Sequence, residues 1–162
     1  MLREYLIELY DFTCWGRDLL LDKAENLTAE QFDQDTRFPI HTIKETLVHV
    51  LTAELAYRKR ASQEPYLKGL EKSEFPDLKS MRAYWAAEEK LMRAFLATLN
   101  DDAIGDTLTY KTTAGDEVKR RRIDLIFQLY FHGMQHRAEM AQMLTEFGHS
   151  PGNIDYSVYK YG

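Results

Sequence analysis

Residues 122–147 read RIDLIFQLYFHGMQHRAEMAQMLTEF, and the period of their apolar positions decides the fold class. Steps of four and three trace Leu125, Leu129, His132, His136, Glu139 and Met143, the stripe that a long amphipathic helix turns toward its partners. Gly148 and Pro151 beyond it stop the helix. Two histidines therefore stand on the inward stripe, four residues apart. That spacing separates them by about 40° around the axis and about 6 Å along it, so both rings can reach one point. H-x-x-x-H recurs in helical metal sites for this reason. The chain holds 5 histidines, and chance supplies such a pair in about one sequence of this kind in seven. Two unrelated, separately satisfied histidines thus stay open as an alternative. Buried imidazoles nevertheless need partners for both nitrogens and repel one another when protonated.

Working outward, three further stretches carry the helical period, and glycine and proline fall between them, which predicts an all-α domain. The first helix is expected over residues 2–25. Thr28 with Gln31 has capping-box spacing and predicts a short extra turn. Thr42 and Glu45, in T-I-K-E, predict the capped start of a second helix over 42–62. The connection QEPYLKGLEKSEFPD follows, then a third helix over 78–99. Thr107, Leu108, Thr109 and Tyr110 are strand-prone, and Ala114-Gly115-Asp116 offers turn chemistry, so a small hairpin or flap precedes the fourth helix. A long connection lets the second and third helices of a four-helix bundle run parallel.

With 162 residues and no shift in composition, one domain over 1–162 is expected. There are 26 acidic against 21 basic side chains, a balance that argues against nucleic acid or an anionic membrane as partner. The run Lys119-Arg120-Arg121-Arg122 has no interleaved aromatic platform and reads as a solvated basic face. A lone cysteine, Cys14, fits a reducing compartment. The N-terminus lacks the pattern of a signal peptide, and no window is apolar enough to span a bilayer. A soluble, cytoplasmic protein is expected.

A third ligand for the pair must come from another helix. His49 lies mid-way along the second, on a face with Glu45, Thr46, Thr52, Ala53 and Ala56 that leaves room for an ion. A half-exposed histidine with no ligand role is the alternative. His41 and His149 read as loop residues, and Glu146-x-x-His149 is a single carboxylate-histidine spacing where a di-iron bundle needs two. Glu139 can hold the second nitrogen of His136 or act as a base; otherwise it forms a buried salt bridge with Arg58 or Arg137. Glu45 is read as a cap. Tyr110, Tyr156 and Tyr159 are candidates for the mouth of a site, with simple packing as the alternative.

The mid-helix histidine in TIKETLVHVLTAE and the terminal block HGMQHRAEMAQMLTEFGHSPGNIDY, together with CWGRDLL, NLTAEQF and TYKTTAGDEV in that order, resemble the DinB/YfiT-like superfamily over the whole chain. The resemblance implies a four-helix bundle of up-down-down-up topology in which three histidines bind a divalent ion, commonly zinc or nickel. Carried over by position, the ligands are His49, His132 and His136. The chain reads His136-Arg137-Ala138-Glu139 where the motif commonly ends His-Arg-Gly-Gln, which sets a carboxylate beside the ligands. Three neutral imidazoles leave an open coordination position. The functional expectation is a metal-dependent enzyme acting on a small molecule, either a hydrolase or a transferase using a low-molecular-weight thiol. The competing expectation is a non-catalytic protein with a structural or vestigial metal and a homodimeric interaction surface.

Overall fold

Capping chemistry sets the helix boundaries. In the computed structural model, which describes residues 1–66, 68–112 and 114–162, the long helices are α1 (Leu2–Ala24), α3 (Ile43–Ala61), α4 (Leu78–Thr98) and α6 (Arg122–Glu146). Leu67, in the long connection, and Thr113, in the flap, lie outside the described residues. The short helices are α2 (Ala29–Asp33), α5 (Asp101–Gly105) and α7 (Tyr156–Tyr161), and β1 (Thr107–Lys111) pairs antiparallel with β2 (Glu117–Arg121) in the register Thr107 opposite Arg121. Thr28 and Gln31 form a reciprocal capping box at α2. The Thr42 hydroxyl accepts from the Glu45 amide at 3.0 Å and starts α3. The Glu45 carboxylate does not complete a reciprocal box on the Thr42 amide and accepts instead from Lys72, at 2.9 Å. Asp77 and Ser80 form a further box at α4. At the end of α6, Gly148 takes φ 84°, and the His149 amide reaches back to the Leu144 carbonyl at 2.8 Å, closing the helix as a left-handed glycine allows.

Side-chain pairings between helices establish the topology. Glu54 meets Trp85 and Arg58 meets Glu88, so α3 and α4 run parallel. Leu6 pairs with Tyr130 and Thr13 with Arg137, so α1 and α6 also run parallel. Arg17 with Glu89 and Asp11 with Arg93 make α1 and α4 antiparallel. Arg122 with Ala61 does the same for α6 and α3. The result is an up-down-down-up four-helix bundle in the order α1, α6, α3, α4. The connection between α3 and α4 contains a 3-10 turn, Lys72–Glu74, and returns the chain to the end from which α3 began.

Two apolar regions fill the bundle. One gathers Leu20, Ile43, Leu47, Leu51, Met81 and Met143, and the other Leu6, Tyr10, Met92, Leu96, Leu125 and Leu129. Full burial of each such side chain contributes about 1.5–3 kcal/mol. Between them the interior is polar: Thr13, Glu54, Arg58, Glu88 and Arg137 are all buried.

Lys119, Arg120 and Arg121 are exposed, as a solvated basic face requires, and only Arg122 departs from it. Arg122 is buried: its Nε donates to the Ala61 carbonyl at 2.9 Å and its Nη1 reaches Asp106 at 2.9 Å and the Ala103 carbonyl. Arg121 pairs with Asp124 at 2.8 Å. Arg122 thus ties the hairpin and α5 to the end of α3. Tyr156 and Tyr159 pack with Phe12 and Trp15, which fastens α7 to α1. Among the described residues no helix is long and apolar enough to cross a membrane.

Candidate metal centre

The antiparallel packing of α3 against α6 sets His49 opposite the H-x-x-x-H turn. The ring centroids of His49, His132 and His136 stand 4.6–4.9 Å apart in pairs. Each ring offers a nitrogen, and these three atoms lie within 4.8 Å of one another. His49 Nε2 and His132 Nε2 are 3.0 Å apart. Ligands at about 2.1 Å from one ion with tetrahedral angles would sit about 3.4 Å from each other, so small ring rotations suffice to close the triad around a cation. Among the described residues no other group of three histidine, cysteine, aspartate or glutamate side chains has this reach.

The three rings differ in setting: His49 is exposed, His132 half-buried and His136 buried. His136 Nδ1 contacts Glu139 Oε2 at 2.6 Å. The carboxylate accepts the Nδ1 proton and leaves Nε2 with its lone pair, which fixes ring and tautomer together. Glu139 is therefore partnered with His136 rather than with Arg58 or Arg137, contrary to the salt-bridge alternative. Arg58 is committed to Glu88 and to Glu64. His132 Nδ1 is sealed from solvent without a partner among the described residues. Burial, then the charges that His136 and His49 would carry, push His132 down to about 4. Burial and His136 likewise lower His49. Near neutrality both are uncharged, the state in which an imidazole can ligate.

Beside His49 a cleft of about 400 Å³ opens between α3 and the segments on either side of it. Ile40, Val48 and Leu70 form its apolar wall, while His41, Glu45, Thr52 and Lys72 contribute polar groups. His41 thus lies at the cleft although it is outside the triad. His149 and Glu146 are not brought to the site; Glu146 pairs with Arg37 at 2.6 Å. Tyr110 packs over Arg60, with the ring centroid 5.3 Å from the guanidinium carbon, and Tyr156 and Tyr159 serve the packing of α7. Burial pushes the Cys14 thiol up to about 12, so it offers no thiolate near neutral pH.

Sequence reasoning missed the layer directly behind the triad. Arg137 lies in the bundle interior against two mid-helix glycines: a Cβ on Gly133 would sit 3.0 Å from Arg137 Nη1, and one on Gly16 would sit 3.5 Å from Arg137 Cδ. Glycine within a helix costs about 1 kcal/mol relative to alanine. Two of them on adjoining helices were the available sign of something large passing between.

Comparison with known proteins agrees with this architecture. The chain matches the DinB family over residues 1–162. It is 19% identical over 165 residues to Protein DinB of Bacillus subtilis (strain 168), covering 98% of this chain and 95% of that protein. Its fold superposes with a TM-score of 0.60, at 18% identity and over 91% of this chain and 87% of the other, on YfiT from Bacillus subtilis, described as "a probable metal-dependent hydrolase with an unusual four-helix bundle topology". The chain belongs to the DinB family.

Proposed function

We propose that this protein is a metal-dependent hydrolase of small molecules whose divalent ion, zinc or nickel, is held by His49, His132 and His136. The observation that carries the reading is the convergence of three ring nitrogens within 4.8 Å at the lip of an open cleft. His49 Nε2 and His132 Nε2 already lie within hydrogen-bond distance, at 3.0 Å, but that single contact leaves His132 Nδ1 buried without a partner among the described residues and does not account for the third ring nitrogen, from His136, whereas a cation accounts for all three. The donor set also fits the ion: imidazole suits zinc and nickel equally, and three protein ligands leave a coordination position for substrate or water.

Within this reading each residue has a distinct part. His49 and His132 present Nε2, and His136 is oriented by Glu139, which keeps the proton on Nδ1. Glu139 is a positioning residue: its carboxylate is already spent on His136 Nδ1 and is poorly placed to act as a free base. A divalent ion bound there supplies Lewis acidity, polarising a substrate oxygen and acidifying water toward neutral pH. The cleft offers an apolar wall for the body of a substrate and the Glu45–Lys72 pair at its rim.

The test is turnover of a panel of small esters, amides and lactones by protein loaded with zinc or nickel. Hydrolysis that disappears on chelation, returns on reloading and is absent in His132→Ala is the expected result. Thiol transfer would use the same three ligands and is told apart by its product, since an added low-molecular-weight thiol would then appear in the product instead of water. A fully loaded protein that turns over neither class returns the site to a structural or vestigial role.

A further inference from the structure

A second cluster, on the same face of α3 as His49 but toward its C-terminal end, has polar groups that the metal centre does not use. Arg60 follows His49 by 11 residues, hence about 16 Å along the helix and only about 20° around it. Its guanidinium lies over three tyrosine rings: Tyr57 at 5.3 Å, Tyr66 at 5.1 Å and Tyr110 at 5.3 Å. Arginine side chains usually spend their five N–H groups on carboxylates or carbonyls. Among the described residues no acceptor meets those of Arg60, and its Nε is shut off from solvent without a partner. A cavity of about 360 Å³ adjoins it, lined also by Gln63, Tyr66, Tyr110 and Lys111. Lys111 likewise has no carboxylate within salt-bridge distance among the described residues. The one acid in the wall, Glu64, is committed to Arg58 at 2.5 Å and to the Ser62 hydroxyl at 2.7 Å. Gln63 adopts φ 59°, the left-handed backbone that glycine usually takes after a helix, so a side chain with an amide donor stands at the pocket where a smaller residue would be conformationally easier.

We propose that the pocket between the end of α3 and the β-hairpin is an oxyanion-binding site, in which Arg60 and Lys111 hold a carboxylate or phosphate group of a small ligand. Three rings within cation–π distance confine the guanidinium in advance, so less side-chain entropy remains to be lost when its planar fork engages an anion. Lys111 adds a second, mobile positive charge, and Gln63 places an amide among the lining groups. The wall carries two cations with no carboxylate within salt-bridge distance among the described residues, and Glu117, opposite Lys111 across the hairpin, lies outside that wall, a balance that favours an anion and disfavours a cation or an apolar guest. The separation from His49 makes this a site distinct from the metal centre, and it stands whether or not the metal reading does.

The experiment is a titration of isotopically labelled protein with sodium phosphate or sodium acetate, followed by NMR, with sodium chloride at matched ionic strength as control. Saturable shifts are expected in the amides of residues 60–66 and 109–111 and in the Arg60 side-chain N–H. Saturation by phosphate alone assigns a phosphate ligand, and saturation by acetate alone a carboxylate; both support the site. Arg60→Lys keeps the charge but loses the fork and is expected to weaken binding about tenfold. Lys111→Gln, at an exposed strand position where folding is unaffected, is expected to weaken it about threefold. Shifts no larger than those caused by chloride, or wild-type binding by both variants, would show that Arg60 only pins the hairpin to α3 and would overturn the proposal.

Discussion

His136 and Arg137 are adjacent on α6, yet their side chains are held by opposite means. Arg137 is buried in the polar middle of the bundle, 3% exposed, with Glu54 also 3% exposed and 4.0 Å away. Trp85 Nε1 donates to the other Glu54 oxygen at 2.9 Å, and Thr13 lies at 3.5 Å from Arg137 Nη2. Charge is opposed to charge, although burial still pushes Arg137 down to about 10 and raises Glu54. At His136 like faces like: three imidazoles converge, and the one carboxylate in contact, Glu139, sits behind His136 rather than among the rings. The pair is opposite in sign, yet it stands at the limit of salt-bridge reach and leaves Glu54 Oε1 and Arg137 Nη1 buried without a hydrogen-bond partner among the described residues. At the triad the rings gain from one another only the His49–His132 contact at 3.0 Å, and His132 Nδ1 stays buried without a partner among the described residues, which is why an ion is proposed there.

The contrast can be broken most sharply on the buried side. Arg137→Ala leaves Glu54 as an uncompensated buried acid and should destabilise the protein by about 3–5 kcal/mol in urea unfolding. Replacing the pair together, as Arg137→Met with Glu54→Leu, should recover most of that loss. An Arg137→Ala protein as stable as the wild type would show that the pair is not part of what holds α1, α3 and α6 together.

On the histidine side the effects should fall on metal affinity and leave the fold intact. Glu139→Gln keeps the shape but weakens the hold on His136 Nδ1. It is expected to reduce affinity for zinc or nickel by about 10–100-fold, measured by competition with a chelating dye, with unchanged helical content by circular dichroism. Unaltered affinity would make Glu139 a bystander.

The smallest effect is a pH dependence of the metal-free protein. His132 is held at about 4 against an ordinary 6.5, so below about 6.5 the unfolded chain takes up a proton that the folded chain refuses. Stability should therefore fall as pH drops from about 6.5 to about 4 and level off below. The ring is partly open to solvent, and screening reduces the effect to about 1 kcal/mol. His132→Gln should flatten this part of the profile; an identical profile in the variant would count against a half-buried, uncharged His132.

Much of the frame was legible because its causes are local. The seam from Leu125 to Met143, the Thr28, Thr42 and Gly148 boundaries and the flap at 107–121 rest on period, caps and turn chemistry within a few residues. The H-x-x-x-H pair was visible for the same reason. What the sequence could not assign depends on partners distant along the chain. Glu45 looked like a cap and turned to Lys72, 27 residues on. Arg122 looked solvated and is buried against the Ala61 carbonyl. The helices α5 and α7 are only 5 and 6 residues long, too short for a period to declare itself, and α7 depends on aromatic packing against α1. The position of His49 opposite the pair required the topology, which entered through family resemblance and not through spacing.

The central claim is that one divalent ion is shared by three histidines from two helices. Elemental analysis of the purified protein, beside His49→Ala, His132→Ala and His136→Ala variants each checked for folding, tests it most directly. The account predicts at most one zinc or nickel ion per chain, lost from every one of the three variants. A full metal complement in folded His49→Ala protein would contradict it.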